Sequence, residues 1–522
     1  MRLHDQLNRW AAETPEGEFA VQGSRAMTWR EARERVNRLA NVLATLDLDV
    51  GERIAVLAKN SIEYVLLYYA ASTAGVVPVP LNYRSAAPEW LRAIDDSGAA
   101  LVVADTAHRA ALDALGGDLP RVRSFASLDG GAAPGWISLP RMAEREAATA
   151  PGRAVSADDD LYQLYTSGTT GRPKGAVLTH AAVTANCAQI AALPHSGRPG
   201  ERSLVAAPLC HAGVVWSAFA PHHWGASLAI LTAVDPNELV RTLDEDRIGY
   251  APLVPSILHM CLTDVPDVAA RRYRHLRLVH VGSAPVPEPL LRRAIEVFSC
   301  DVVVGYGMTE ASAGTSVMTP ADTDRARTDA PHLLASVGRP LPDTLVRIVD
   351  AAGAPVPIGE IGEITVRGPQ LMRGYWRRPE ATAETLREGW LHTGDAGRLD
   401  AEGYLYVTDR TKDMIISGGL NVYPRMVEDV LHTHPAVAEA AVIGVPHERW
   451  GETVQAVVVP RPGEAVNPAE LIAFCRGRLG THQRPRSVDV VAELPRTATG
   501  KVRKRELRER YRTETATKAV RA

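Results

Sequence analysis

The residues best suited to chemistry lie between Tyr165 and Gly175, in the run YTSGTTGRPKG. It contains three glycines, three threonines, one serine and one lysine. Glycines let backbone N–H groups approach a polyanion closely, hydroxyls add donors, and Lys174 adds a positive charge. That density of donors suits a polyphosphate cradle better than a polar turn between strands. It is not a Walker A loop, because Pro173 sits where the glycine before the lysine is required. A second run, GYGMTE (305–310), follows the largely apolar strand DVVV, with three valines. It fails the dinucleotide fingerprint, since Glu310 stands where the last glycine would be. Near the C-terminus, LPRTATGKVRK (494–504) sets Lys501 in a glycine-containing loop.

Several elements must position these runs. A short strand is expected at 161–165, leading into the glycine-rich loop. WREARERVNRLANVLATL (29–46) has apolar residues at helical spacing, while RIAVLA (53–58), GVVPVPL (75–81) and ALVVAD (100–105) read as buried strands. The rhythm continues through SLVAAPL, LAILTAV, LRLVHVGSA and DVVVGYGMTE. Strands alternating with helices predict a largely parallel sheet with helices on both faces. After residue 335 the pattern changes: VRIVDAAGAPVPIGEIGEITVRG (346–368) has short strands split by Gly and Pro, as in hairpins or a small barrel. Polar DRTKD (409–413) then precedes a section read as helix 424–432, strands 438–445 and 453–460, helix 468–479 and a strand near Val488. A boundary near Asp409 leaves a C-terminal domain of about 110 residues, a normal domain size.

A chain of 522 residues is too long for one ordinary core, so two or more domains are expected. The net charge of -3 gives no basic field for nucleic acid or anionic lipid. The basic run VRKRELRERYR (502–512) is interleaved with glutamates and reads as a solvated helix face. Five scattered cysteines without CxxC spacing argue for a reducing compartment and against a disulfide framework or zinc site. No N-terminal apolar run and no stretch near the roughly 20 residues needed to span a bilayer is present, so a cytoplasmic protein is expected.

Taken together, YTSGTTGRPKG, GYGMTE, WLHTGD (390–395), DRTKDMIISGGLNVYP (409–424) and LPRTATGKVRK resemble, in order and over nearly the whole chain, the acyl- and aryl-CoA synthetase, adenylation-domain and luciferase superfamily of adenylate-forming enzymes. The resemblance implies an α/β fold: a large N-terminal domain (1–408) of two helix-flanked sheets plus a small barrel, a hinge (409–412), and a small mobile α+β domain (413–522) carrying the catalytic lysine. It implies that Thr166, Ser167, Gly168, Thr169, Thr170, Gly171 and Lys174 hold the phosphates of ATP. Tyr306 would stack on adenine, Thr309 contact the α-phosphate, and Glu310 hold Mg²⁺, which needs few protein ligands because it keeps most of its waters. Gly305, Gly307 and Met308 complete that segment, and GSAP (282–285) brings Gly282, Ser283 and Ala284 to the adenine and acyl sites. Asp395 would bind the ribose hydroxyls and Arg410 the ribose or phosphate. Lys412 is the implied pivot, and Lys501 the implied catalytic lysine, touching both carboxylate and α-phosphate. One departure from the family pattern is Met426, where a glutamate is usual.

PLCHAGVVW (208–216) resembles the family's segment between acyl pocket and thiol entrance, with Cys210 replacing an aromatic. That places His211 beside Lys501, Thr309 and Glu310 among catalytic residues, and His211, Val214, Val215, Ser312 and Ala313 in the acid pocket, with Gly282, Gly305 and Met308 nearby. The small residues of ASAG (311–314) leave room for an aryl or medium acyl group. Neighbouring His222 and His223 lack the i, i+4 spacing of helical metal ligands and read as packing or partly polar surface. Gly419 and Trp450, the latter in RWGE (449–452), would border the thiol tunnel. The implied activity is ATP-dependent, AMP-forming activation of an aryl or medium- to long-chain acid, then transfer to CoA, by a monomer or homodimer. The alternatives are a stand-alone adenylating enzyme that loads a carrier protein or a non-thiol acceptor such as an amine, and an ATP-binding homologue without activity.

Overall fold

The computed structural model describes the chain except residues 116–118, 132, 167–172, 411–412, 418–419, 448–449, 477, 497–500 and 512–522, and the side chains of Arg410 and Asn421. Contacts divide it into two compact units: Met1–Val286, Leu290–Val346 and Val366–His392 form the first, and Pro287–Pro289, Arg347–Thr365 and Thr393–Ala522 the second.

The first unit is built on two sheets. One is all parallel, in the order Val77–Pro80, Arg53–Leu57, Leu101–Ala104, Ser124–Ser127, Trp136–Ser138. Strand Arg53–Leu57 is buried at every position, as a strand covered on both faces must be. The other has nine strands. Its middle is parallel, running from Asp301–Tyr306 through Leu278–Val281, Ile248–Leu253, Arg202–Val205 and Ser227–Ile230 to Glu18–Gln22. Antiparallel strands close both edges, Arg25–Thr28 on one side and Ser316–Val317 with Arg339–Pro340 on the other. Helix Ile62–Ala74 is largely apolar and buried at every position but Glu63, which suits a helix enclosed by packed layers rather than a surface helix. Ser61 caps its start, and Gly75 ends it at φ 73°, a left-handed conformation that glycine adopts without a Cβ penalty. A third, small antiparallel sheet orders Gly374–Tyr375, Lys174–Thr179 and Asp160–Thr166.

In the second unit, residues 395–399 and 405–410 pair antiparallel in a five-stranded sheet that also holds Gly362–Arg367, within the segment expected to form hairpins or a small barrel. The C-terminal sheet orders Leu420–Val422, Ile415–Ser417, Gly451–Pro460 and Val437–His447, with Ser487–Val490 parallel to Gly451–Pro460. Its two faces serve two cores by strand alternation. Ala440 and Val442 join Val427, Leu431 and Leu471 of helices Pro424–His432 and Pro468–Phe474 on one side. Ala441, Ile443 and Val445 join Leu494, Leu507 and Tyr511 on the other. The helix expected at 468–479 stops at Phe474. The sequence Arg476-Gly477 follows, and glycine weakens helix continuation.

Candidate functional site

The glycine-rich loop is the tip of a hairpin. Strands Asp160–Thr166 and Lys174–Thr179 pair antiparallel up to Thr166 opposite Lys174, so the two half-buried ends of the loop are held side by side. The donors Ser167, Gly168, Thr169, Thr170 and Gly171 lie outside the described residues. Gly175 is required by packing, because a Cβ there would lie 2.6 Å from Gln163 Nε2.

The hairpin's outer neighbour is the short strand Gly374–Tyr375. Arg373 N donates to Val177 O at 2.9 Å and Trp376 N to Gly175 O at 2.7 Å. In the same segment Met372 N donates to Glu310 O at 2.8 Å. The Tyr375 hydroxyl donates to Glu310 Oε1 at 2.8 Å, and Lys174 Nζ stands 5.0 Å from the Tyr375 ring centroid. One side chain therefore spans the loop lysine and the carboxylate, whose residues are 136 apart in sequence (310 − 174).

Glu310 is only 6% exposed and lies in the 3-10 turn Thr309–Ala311 after strand Asp301–Tyr306. The turn is anchored by the returning strand: Thr315 N donates to Tyr306 O at 2.8 Å. Gly307 admits no side chain, since a Cβ would fall 1.8 Å from Ala313 O. Tyr306, Met308 and Thr309 remain half-buried around it. Among the described residues no group of three or more His, Cys, Asp or Glu gathers as a metal cage. One buried carboxylate beside the glycine-rich hairpin fits Mg²⁺, which needs few protein ligands because it takes the rest from water and substrate.

Gly282 and Gly305 end adjacent parallel strands and face each other closely: a Cβ on Gly282 would lie 3.2 Å from Gly305 O. Beneath them is a residue that sequence reading missed, His280. A Cβ on Gly305 would come within 2.4 Å of its Nε2. His280 stacks on Trp216 with centroids 4.1 Å apart, and burial holds its pKa down at about 3, with the neighbouring His195 adding to the effect. The available signal was a lone polar residue in the apolar strand Leu278–Val281. Trp216 sits in a π-helical turn, Val215–Phe219, a rare geometry that often marks functional sites. Val214 and Val215 are buried, and His211 is half-buried at the start of that turn, its carbonyl accepting from Val214 N at 2.9 Å. Ser283 is exposed at φ 70°, followed by half-buried Ala284. Ser312 is fully buried at φ 63°, its hydroxyl committed to Gln370 O at 2.7 Å, while Ala313 beside it is half-buried. Ser312 thus braces the turn and keeps its hydroxyl in the interior.

His222 is a packing residue. It is fully buried against Phe19 and Trp29, and its Nδ1 lies 2.8 Å from the Tyr69 hydroxyl.

In the second unit, Asp395 is 5% exposed and stands directly opposite Arg410 in the antiparallel register. Lys501 is exposed. Its loop is closed by a bridge between Arg496 and Val502 and by Arg503 N donating to Pro495 O at 2.8 Å. Trp450 is half-buried, with the Arg486 guanidinium 5.0 Å over its ring. Lys412 and Gly419 lie outside the described residues.

The basic run after Lys501 is not only a solvated face. Arg503 and Arg505 pair with Glu506 and Glu509 at the surface, but Lys504 Nζ meets Glu428 Oε1 at 2.8 Å and Arg508 meets Asp413 at 2.7 Å, all four largely buried. Burial alone would lower the Lys504 pKa, but the carboxylates of Glu428 and Asp409 outweigh it and raise it. Glu428 also accepts from Val442 N at 2.7 Å. Met426, the departure from the family pattern, is 39% exposed, and the ion pairs of that helix are made by its neighbours, Glu428 with Lys504 and Arg425 with Asp429.

Comparisons with known proteins identify the family and the fold. The family model for AMP-binding enzymes matches residues 7–376, and that for the AMP-binding enzyme C-terminal domain matches residues 426–501. A feruloyl-CoA synthase of Amycolatopsis is 40% identical, over 96% of this chain and 98% of its own length. A long-chain-fatty-acid–CoA ligase, FadD13 of Mycobacterium tuberculosis, is 36% identical over 93% of both chains. The structure of ATP-bound MatB from Rhodopseudomonas palustris superposes with a TM-score of 0.88 at 31% identity, covering 98% of this chain and 99% of that one.

Proposed function

The chain belongs to the AMP-binding enzyme family, and on that premise we propose that it activates a carboxylic acid as its adenylate and passes the acyl group to the thiol of coenzyme A. It is an ATP-dependent, AMP-forming acid–thiol ligase. The acid is of the aryl or medium- to long-chain acyl class. The observation that carries the reading is the Tyr375 bridge, which sets the lysine of the phosphate hairpin and the buried carboxylate of Glu310 on one side chain.

In the first half-reaction a substrate carboxylate oxygen attacks the α-phosphorus of ATP, and pyrophosphate leaves. Two anions must meet, so the protein's task is positional and electrostatic. Lys174 and the hairpin donors hold the phosphates that depart as pyrophosphate. Thr309 donates to the α-phosphate, Asp395 accepts from the ribose hydroxyls, and Arg410 contacts the ribose or phosphate. Lys501 offsets the charge of the carboxylate and α-phosphate as they approach. Glu310 would hold Mg²⁺, which would supply further charge neutralisation on the phosphates. The acid lies over Gly282 and Gly305, between His211, Val214 and Val215. In the second half-reaction the CoA sulfur attacks the acyl carbon, and AMP leaves with its phosphate. A rotation of residues 413–522 about Lys412 withdraws Lys501 and brings Gly419 and Trp450 to the thiol path, a closure of the hinge type.

Pyrophosphate and AMP release from the purified chain, over panels of aryl, aliphatic and amino acids with and without CoA, tests this. Pyrophosphate release with aryl or aliphatic acids, and AMP release that requires CoA, is expected. No release with any acid would sink the reading, and AMP release that needs a carrier protein or an amine instead of CoA would replace the acceptor.

A further inference from the structure

We propose that Tyr375 is a positioning residue for adenylate formation, holding the Glu310 carboxylate and the Lys174 ammonium in register with each other. This rests on the function proposed above. The observations are local to one unit. Tyr375 donates its hydroxyl to Glu310 Oε1 at 2.8 Å, and its ring carries Lys174 Nζ at 5.0 Å from the centroid. Its own backbone is pinned, with Tyr375 N donating to Thr382 Oγ1 at 2.9 Å and the strand paired with Ala176 and Val177. The backbone of Glu310 is tied to the same segment through Met372 N.

Three features separate this from ordinary packing. First, the acceptor is an ionisable carboxylate that is 6% exposed, and such a group is costly to bury without a donor. A hydrogen bond to a charged acceptor is shorter and stronger than a neutral one, so it selects one orientation of the carboxylate. Second, the same ring faces a cation, and donation of the hydroxyl proton toward a carboxylate polarises the ring in the sense that favours that cation. Third, the segment is laced to the phosphate hairpin on both sides of Tyr375, through Arg373 N to Val177 O and Trp376 N to Gly175 O. The strand that carries Tyr375 is therefore fixed relative to the strand that carries Lys174. The sequence gives no warning of this, since RGYW (373–376) lies about 200 residues after the loop (374 − 174) and 65 after Glu310 (375 − 310).

The test is Tyr375→Phe, which removes the hydroxyl and keeps the ring. Pyrophosphate exchange is measured against Mg²⁺ concentration, and Mn²⁺ binding to the chain with α,β-methylene-ATP is read by electron paramagnetic resonance. Loss of one charge-assisted hydrogen bond predicts about a tenfold rise in both the Mg²⁺ requirement and the Mn²⁺ dissociation constant. The loss in adenylate formation exceeds any change in transfer from supplied acyl-AMP to CoA. Glu310→Gln alone and combined with Tyr375→Phe closes a cycle, in which the double variant is expected to lose little more than Glu310→Gln. Unchanged Mn²⁺ affinity, equal losses in both half-reactions, or additive losses in the cycle would each overturn the proposal. Tyr375→Leu, which also removes the ring, adds a rise in the Michaelis constant for ATP if Lys174 is held as described. A wild-type chain that releases no pyrophosphate with any acid removes the functional reading, while the Mn²⁺–nucleotide arm still decides the role of Tyr375.

Discussion

Trp216 and His280 stack at 4.1 Å with their rings 26° from parallel, directly below Gly305. A side chain at residue 305 has no room while His280 is present, because the new Cβ would lie 2.4 Å from Nε2. Gly305→Ala is expected to cut kcat/KM for bulky aryl acids by at least about tenfold, the size of a lost methylene-scale fit. His280→Ala in the same chain should restore most of it by opening the floor. Kinetics over a graded series of acids checks this, and a double variant no better than Gly305→Ala would contradict it.

Lys501 is exposed in a loop closed by the Arg496–Val502 bridge and by the Arg503 N to Pro495 O hydrogen bond. Its assigned task is confined to charge that develops in the first half-reaction. Lys501→Ala should reduce adenylate formation by about 10²–10³-fold, the range for losing one preorganised electrostatic contact. Transfer from supplied acyl-AMP to CoA should fall far less. Stopped-flow measurement of each half-reaction separates the two, and equal losses would remove the assignment.

Lys504 and Glu428 join the segment after Lys501 to the helix Pro424–His432. Lys504→Met leaves the Glu428 carboxylate largely buried without its partner, which is expected to cost about 3 kcal/mol of stability. Lys504→Met with Glu428→Leu should cost less than Lys504→Met alone, because no unpaired charge remains. Denaturant unfolding of the three chains decides it, and a double variant less stable than the single one would refute the pairing argument.

His222 and His280 are buried, and burial pushes both pKa values down to about 3 from 6.5. Between those values the unfolded chain binds protons that the folded chain refuses, so stability rises with pH. The contribution is complete above about pH 6.5 and is lost as the pH falls toward 3. At about pH 5 each such histidine should cost about 2 kcal/mol. Melting temperatures between about pH 7.5 and 5 should fall, and His222→Gln should flatten that slope. An unchanged slope would show that His222 takes no part.

Much of this protein is legible in its sequence. The glycine-rich loop, the turn at Glu310 and the lysine loop are local, because glycine, hydroxyl and lysine content acts over a few residues whatever the fold around it. The parallel strands are legible too, since burial on both faces leaves continuous apolar runs such as residues 54–57. Helix Pro424–His432 is legible because Pro424 and the apolar spacing mark it. The helix expected at 468–479 ends at Phe474, although apolar spacing continues past it.

What only the tertiary structure decided are the side chains that act at a distance. Tyr375 reads as one aromatic in a loop until strand pairing sets it between Lys174 and Glu310. His280 reads as one polar residue in an apolar strand until the π-helical turn brings Trp216 over it. Lys504 and Arg508 read as a solvated basic face until folding sets Glu428 and Asp413 against them. The physical reason is common to all three. Which residues can bind a phosphate is fixed by their own chemistry, whereas which residues hold them in place depends on contacts between segments 60 to 200 residues apart, as between Tyr375 and its partners Glu310 and Lys174.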